Sequence, residues 1–202
     1  SSLLASNLLT VSAIDRNTSQ EYSIETVKLA DYANYSLERV HVAAPVPALS
    51  AQGLYKTGTS FTAPYVSSVI DQLRYSYPEM SAQVANEIVM KSSDVKNIKA
   101  AIAATEDLIL SEQLGVESVV MTAMTHKKRE IRLQLQNQIG DILLVKSGGV
   151  VNPERAFACA QRHFGSEKLS VSESCLKSHQ AVGELGAEGL EDLSRLWDLR
   201  AI

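Results

Sequence analysis

The chain has 202 residues, of which 45% are hydrophobic and 21% charged, with a formal net charge of −4. That length and balance suit one globular unit with a core of its own. The acidic balance lacks the basic footprint of a nucleic-acid binder, and no apolar run reaches the length of a membrane span.

Ser1 is not an initiator methionine and no leader pattern opens the chain, so it reads as beginning inside a longer product. Leu8 to Ile14 is apolar and rich in β-branched residues, which predicts a buried strand, and Asp15-Arg16-Asn17-Thr18 is turn chemistry. Val40, Val42 and Ala44 alternate with Arg39, His41 and Ala43, which predicts a short strand closed by Pro45 and Pro47. On that alternation His41 is a surface or second-layer residue rather than a catalytic one. A loop containing Gly53 follows. Ala63, Val66, Ile70, Leu73 and Tyr77 then recur at helical spacing, with Pro64 in the first turn, where its missing N–H costs nothing. Tyr77-Pro78 ends that helix. Ser81 caps a second one, whose apolar face holds Val84, Ile88 and Val89.

From Asp94 to Ile139 the spacing predicts a helical stretch split at Gly115. Ile98, Ile102, Leu108 and Ile109 form one apolar stripe; Val119, Val120, Met124, Ile131, Leu135 and Ile139 form another. Lys127-Lys128-Arg129, beside His126, reads as a solvated basic face, with a docking surface for an acidic partner as the sharper alternative. Ile142 to Val145 is strand-like, Ser147-Gly148-Gly149 is a turn, and Asn152 to His163 is a helix with Pro153 in its first turn. After Gly165 the composition shifts, and Leu190, Leu193, Leu196 and Trp197 predict a final amphipathic helix in a tail from residue 166 to 202. That tail either packs on the surface of the domain or contacts another domain or chain. Cys159 and Cys175 either pair or remain free thiols.

The chemistry gathers at Gly58-Thr59-Ser60-Phe61-Thr62-Ala63-Pro64. Ser60 stands at or just before a helix start, where unsatisfied N–H groups and the positive end of the helix dipole favour negative charge. One reading makes Ser60 a helix N-cap. The other makes it a nucleophile with oxyanion stabilisation close at hand.

These residues resemble the nucleophile motif of the subtilisin-like serine proteases, Gly-Thr-Ser-x-Ala/Ser-x-Pro, with Thr62 in the small-residue place and Ser68 where Gly or Ala is usual. Asn7 to Asp15 is similar to that family's strand Asn-Val-Ile-x-Val-Gly-Ala-x-Asp. Tyr32 to Ser36 with Val40 to Pro45 resembles Phe-Ser-Asn-x-Gly followed by Val-Asp-Val-x-Ala-Pro-Gly, with Ser36 and Val46 in the glycine places. Val145 to Ala156 resembles the Ser-Gly-Gly-Arg-Val-Asn motif that closes the family's domain.

The resemblance implies an α/β fold, the C-terminal part of a subtilisin-like domain over residues 1–165, with a mostly parallel sheet, flanking helices and a helical insert at 94–139. It implies a serine endopeptidase in which Ser60 is the catalytic residue. The triad's Asp and His and the oxyanion Asn would come from an upstream segment, since the family carries Asp and His before Ser. Without the base, catalysis in subtilisin falls by about 10⁶, so the fragment alone should be nearly inert. No metal or cofactor residue is assigned, because the family's calcium sites cannot be placed on these residues. The expected partners are that upstream segment of the same protease and a peptide or protein substrate, with no nucleic acid and no membrane span, in a secreted or extracytoplasmic setting. Two other plans are weighed. One is a non-catalytic subtilase-like binding or scaffolding module. The other is an α/β-hydrolase with Asp141 and His163 or His179 after the serine, for which Thr62 spoils the Gly-x-Ser-x-Gly elbow.

Overall fold

Five short strands and seven α-helices make a mixed α/β structure in the computed structural model, which describes residues 8–15, 23–46, 58–125, 134, 142–181, 183 and 185–202. The strands are β1 (Val11–Asp15), β2 (Lys28–Leu29), β3 (Val42–Pro45), β4 (Asp94–Val95) and β5 (Gly149–Val150). Their order in the sheet is β2-β1-β3-β5-β4. The central trio is parallel, with Val11 opposite Val42, Ala13 opposite Ala44, and Ala43 opposite Val150. Both outer strands run antiparallel to their neighbours.

Parallel strands are normally covered on both faces, and β3 shows why its residues are small and apolar. Val42 and Ala44 face one cluster with Val66 and Leu73, Ala43 faces another with Ile14, Leu143 and Val150, and all three are fully buried. The first cover is α1 (Thr62–Ser76), preceded by a single 3₁₀ turn at Thr59–Phe61. Its buried face is Thr62, Val66, Val69 and Leu73, whereas Ala63 is exposed. The expected stripe is therefore rotated, with Val69 taking the place given to Ile70. The second helix, α2 (Ala82–Lys91), starts where expected: the Ser81 hydroxyl accepts from the N–H of Val84 at 3.2 Å.

Two expectations change. Asp94 and Val95, read as the start of the helical insert, are instead the edge strand β4, and α3 (Ile98–Leu114) begins only after Asn97 caps it. Ile142 to Val145, read as strand-like, form no strand beyond the single bridge of Val145 to Ser36; the sheet is joined four residues past Val145, at Gly149 and Val150. Gly149 has to be glycine there, since a Cβ would lie 2.4 Å from the carbonyl oxygen of Asp94 on the paired strand. Burial explains why 142–145 looked like strand: all four residues are core, without ladder partners beyond that single bridge.

Gly115 ends α3 in the left-handed conformation, as its position between the two stripes implied, and α4 (Val119–Thr125) follows. Ile131, Leu135, Ile139 and the run His126 to Arg129 lie outside the described residues. α5 (Pro153–His163) starts with the Asn152 side chain accepting from the Arg155 N–H. Cys159 on α5 is bridged to Cys175 on α6 (Val171–Ala181), with 4.6 Å between their Cα atoms. The last helix, α7 (Ala187–Arg200), buries Leu193, Leu196 and Trp197 completely or nearly so. Leu193 and Trp197 share a cluster with Val42, Val66 and Leu73, and Leu196 shares another with Ile102 and Leu108 of α3.

Candidate active site around Ser60

Gly58 adopts φ 130°, a conformation that side-chain-bearing residues rarely reach, and it turns the chain into the 3₁₀ turn. The N–H of Phe61 donates to the carbonyl of Gly58 at 3.1 Å. The buried hydroxyl of Thr62 donates to the carbonyl of Thr59 at 2.7 Å. That bond and the burial of Thr62 beneath α1 account for a hydroxyl where Ala or Ser is usual: its oxygen is occupied locally and its methyl packs. Ser60 is left on the outside of the turn, exposed.

Ser60 is not the cap of α1. The cap position belongs to Phe61, and no side chain hydrogen-bonds to the helix start. The first-turn N–H groups are therefore without side-chain acceptors, and the first turn carries no acidic residue to offset the positive end of the dipole. Among the described residues Ser60 Oγ has no hydrogen-bond partner. The N–H of Thr62 is bonded back to the Thr59 carbonyl and Pro64 has none, so the exposed hydroxyl lies at the positive end of the helix rather than beside a ready set of free donors. A base is still needed to take its proton.

The described histidines do not supply that base. His41 lies just before β3; its Nδ1 accepts from the Thr10 N–H at 2.9 Å, and its own N–H donates to the Thr10 carbonyl. Burial, helped by the Lys146 ammonium, holds its pKa below the ordinary imidazole value. His163 Nδ1 is bonded to the Leu169 carbonyl at 2.8 Å, with the ring edge-on to Phe164. His179 Nε2 bonds the Lys91 carbonyl at 2.9 Å inside the core, and burial, then the Arg155 charge, pushes its pKa down to about 4. Asp141 and His126 lie outside the described residues. The half-buried position of His41 agrees with its reading as a second-layer residue.

The densest charged cluster sits elsewhere. The Arg155 guanidinium pairs with Asp94, whose carboxylate also accepts from the Asn152 amide at 3.0 and 3.2 Å. This cluster joins β4 to the start of α5 and explains why the Asn-Pro-Glu-Arg stretch follows the Gly-Gly turn. In the sequence Arg155 entered only as a basic residue of the stretch resembling the closing motif; its burial and pairing were not readable, because its partner lies 61 residues away. Among the described residues no group of three or more His, Cys, Asp or Glu side chains could hold a metal ion, and no helix is long and apolar enough to cross a membrane.

Compared with family models, curated proteins and solved structures, the chain finds no match in any of the three.

Proposed function

We propose that the chain is the C-terminal part of a subtilisin-like serine endopeptidase domain, with Ser60 as the nucleophile. The observation that carries this reading is the placement of Ser60: exposed, without a hydrogen-bond partner among the described residues, just after Gly58, ahead of a helix whose buried face rests on the parallel strands. The motif residues around it are those the sequence resemblance rests on. In the reaction the Ser60 hydroxyl attacks the peptide carbonyl, its proton passes to a histidine from the upstream segment, and its own backbone N–H takes part in holding the oxyanion. The upstream Asp orients that histidine, and an upstream Asn completes the oxyanion hole. The Cys159–Cys175 bridge is in keeping with an oxidising, extracytoplasmic compartment.

The alternative is a non-catalytic subtilase-like binding or scaffolding module. It draws on the observation that no described histidine bonds Ser60. A fluorophosphonate probe on the intact protein, with its upstream segment present, separates the two. Labelling at Ser60 that disappears in Ser60→Ala is the expected result. Labelling that survives the substitution removes Ser60 as nucleophile, and a complete protein that never labels transfers the reading to the module.

A further inference from the structure

A groove of about 410 Å³ opens at the amino-terminal ends of β1 and β3, against α2. By connectivity it is not the Ser60 site, which follows the carboxyl end of β3. Its size lies within the range of small-molecule sites, and so does its make-up, apolar walls with a few polar groups. Leu9 and Met90 supply apolar wall, and His41, Lys146, Asn86 and Glu38 supply the polar groups.

Three of those groups present donors. Because Nδ1 of His41 accepts from the Thr10 N–H, the ring proton is on Nε2. Lys146 is a half-buried ammonium close enough to His41 to disfavour its protonation. Asn86 is only 7% exposed, yet its amide has no hydrogen-bond partner among the described residues. That amide is not among the buried polar atoms cut off from both partner and solvent, so it opens onto the groove, where an entering group can bond it. The acidic side chains constrain what that is. Glu87 also lines the groove, but its charge is matched by Lys91 at 2.8 Å. Glu38 remains, and together they disfavour a dianion such as phosphate.

We propose that this groove binds a small apolar molecule bearing one carboxylate, an amino acid or the C-terminal residue of a short peptide. Its carboxylate meets Lys146 and the Nε2–H of His41, and its adjacent amide or amine meets Asn86. The proposal is independent of Ser60 and of peptidase activity.

The test is an NMR titration of the protein, following the His41 ring resonances, with N-acetyl-leucine, leucinamide, free leucine and inorganic phosphate. N-acetyl-leucine should shift His41 saturably, whereas leucinamide and phosphate should not. Free leucine binding as well assigns the site to amino acids; its failure assigns it to a peptide terminus. Lys146→Gln should weaken N-acetyl-leucine by roughly tenfold or more, as loss of a charge-assisted bond requires. Asn86→Leu should abolish binding while leaving thermal stability unchanged, because the amide opens onto the groove and bonds no described residue. Equal binding of leucinamide, no saturable shift with any probe, or a clear loss of stability in Asn86→Leu overturns the proposal.

Discussion

Arg200 donates from Nε to the hydroxyl of Thr105, 2.8 Å away and 95 residues earlier in the chain. Its Nη1 donates to the carbonyls of Val145 and Lys146, and its Nη2 to the carbonyl of Ala101. One buried guanidinium thus ties α7 to α3 and to the segment leading into β5. Arg200→Met would remove all four bonds; the Val145 carbonyl keeps the Gly148 N–H and the Ala101 carbonyl keeps the Thr105 hydroxyl, but the Lys146 carbonyl loses its donor. The expected loss is about 3 kcal/mol or more, read by urea unfolding. Arg200→Lys should recover only a minor part, since an ammonium cannot reproduce the planar fork. A methionine variant within 1 kcal/mol of the parent, roughly the worth of a single hydrogen bond, would show that these bonds contribute little.

Gly149→Ala should be among the most damaging single-atom additions. The new Cβ would meet the backbone of Asp94 at 2.4 and 2.7 Å, and a backbone group in a paired strand has little room to yield. The strand β4 would have to move, and with it the Asp94 carboxylate that Asn152 and Arg155 hold. A loss above about 2 kcal/mol is expected from such overpacking. Thermal unfolding of the variant measures it, and an unchanged midpoint would contradict the pairing of β4 with β5.

His179 makes the fold acid-sensitive. Its pKa in the folded chain is depressed from 6.5 to about 4, so above pH 6.5 it is neutral in both states and stability is undiminished. As the pH falls from 6.5 toward 4, the unfolded chain takes up a proton that the folded one refuses, and stability is lost. The full loss is on the order of 3 kcal/mol. Urea unfolding across that window should show the decline, and His179→Gln should flatten it. A parent protein whose stability stays level from neutral pH down to pH 4 would rule this out.

Reducing the Cys159–Cys175 bridge opens a covalent ring closed across a sequence separation of 16, from within α5 to within α6. Chain-entropy reasoning puts the cost at about 3 kcal/mol. Calorimetry of a Cys159→Ser, Cys175→Ser double variant should show a lowered midpoint, with hydrogen exchange speeding up first in α5 and α6. Parent and variant unfolding together would mean the bridge is idle.

Ser60→Ala should leave stability within about 0.5 kcal/mol of the parent, because the exposed hydroxyl caps no helix and bonds no described residue. A loss near 1 kcal/mol, the usual worth of a serine cap, would restore the capping role that the geometry denies it.

Local rules carried much of the fold. Ser81, Asn152 with Pro153, and Gly115 were legible as helix boundaries because each acts within four residues of itself. Strand β1 was legible because a β-branched, apolar run marks a buried strand; β3 was found through the alternation of Val40, Val42 and Ala44 with Arg39, His41 and Ala43, although Ala43 is as buried as its neighbours. Two-residue strands were not: Asp94 pairs with Val150 and Val95 with Gly149, and pairing between segments so far apart in the chain leaves no periodicity to read. The fully buried run at 142–145 has the composition of a strand without its hydrogen bonds. At Ser60 the motif and the nearby helix start were readable. The removal of its capping role required backbone geometry, since a 3₁₀ turn and the first turn of an α-helix look alike in sequence. The groove escaped notice because its polar groups come from strand ends and a helix far apart in the chain. Asn86, set between Ala85 and Ile88 on a buried face, was its one local sign.

The membership of Leu193 and Trp197 in one buried cluster with Val42 and Val66 also sets a timetable for synthesis. At about 5–20 residues per second, a ribosome takes on the order of 10–30 s to travel from β3 to α7. Throughout that interval the strands are already made and the last helix of their cluster is not. The nascent chain therefore carries an unfinished apolar cluster until Leu193 and Trp197 emerge. A frameshift or early stop before Leu193 would leave that cluster short of both residues, even with Ser60 and its motif intact.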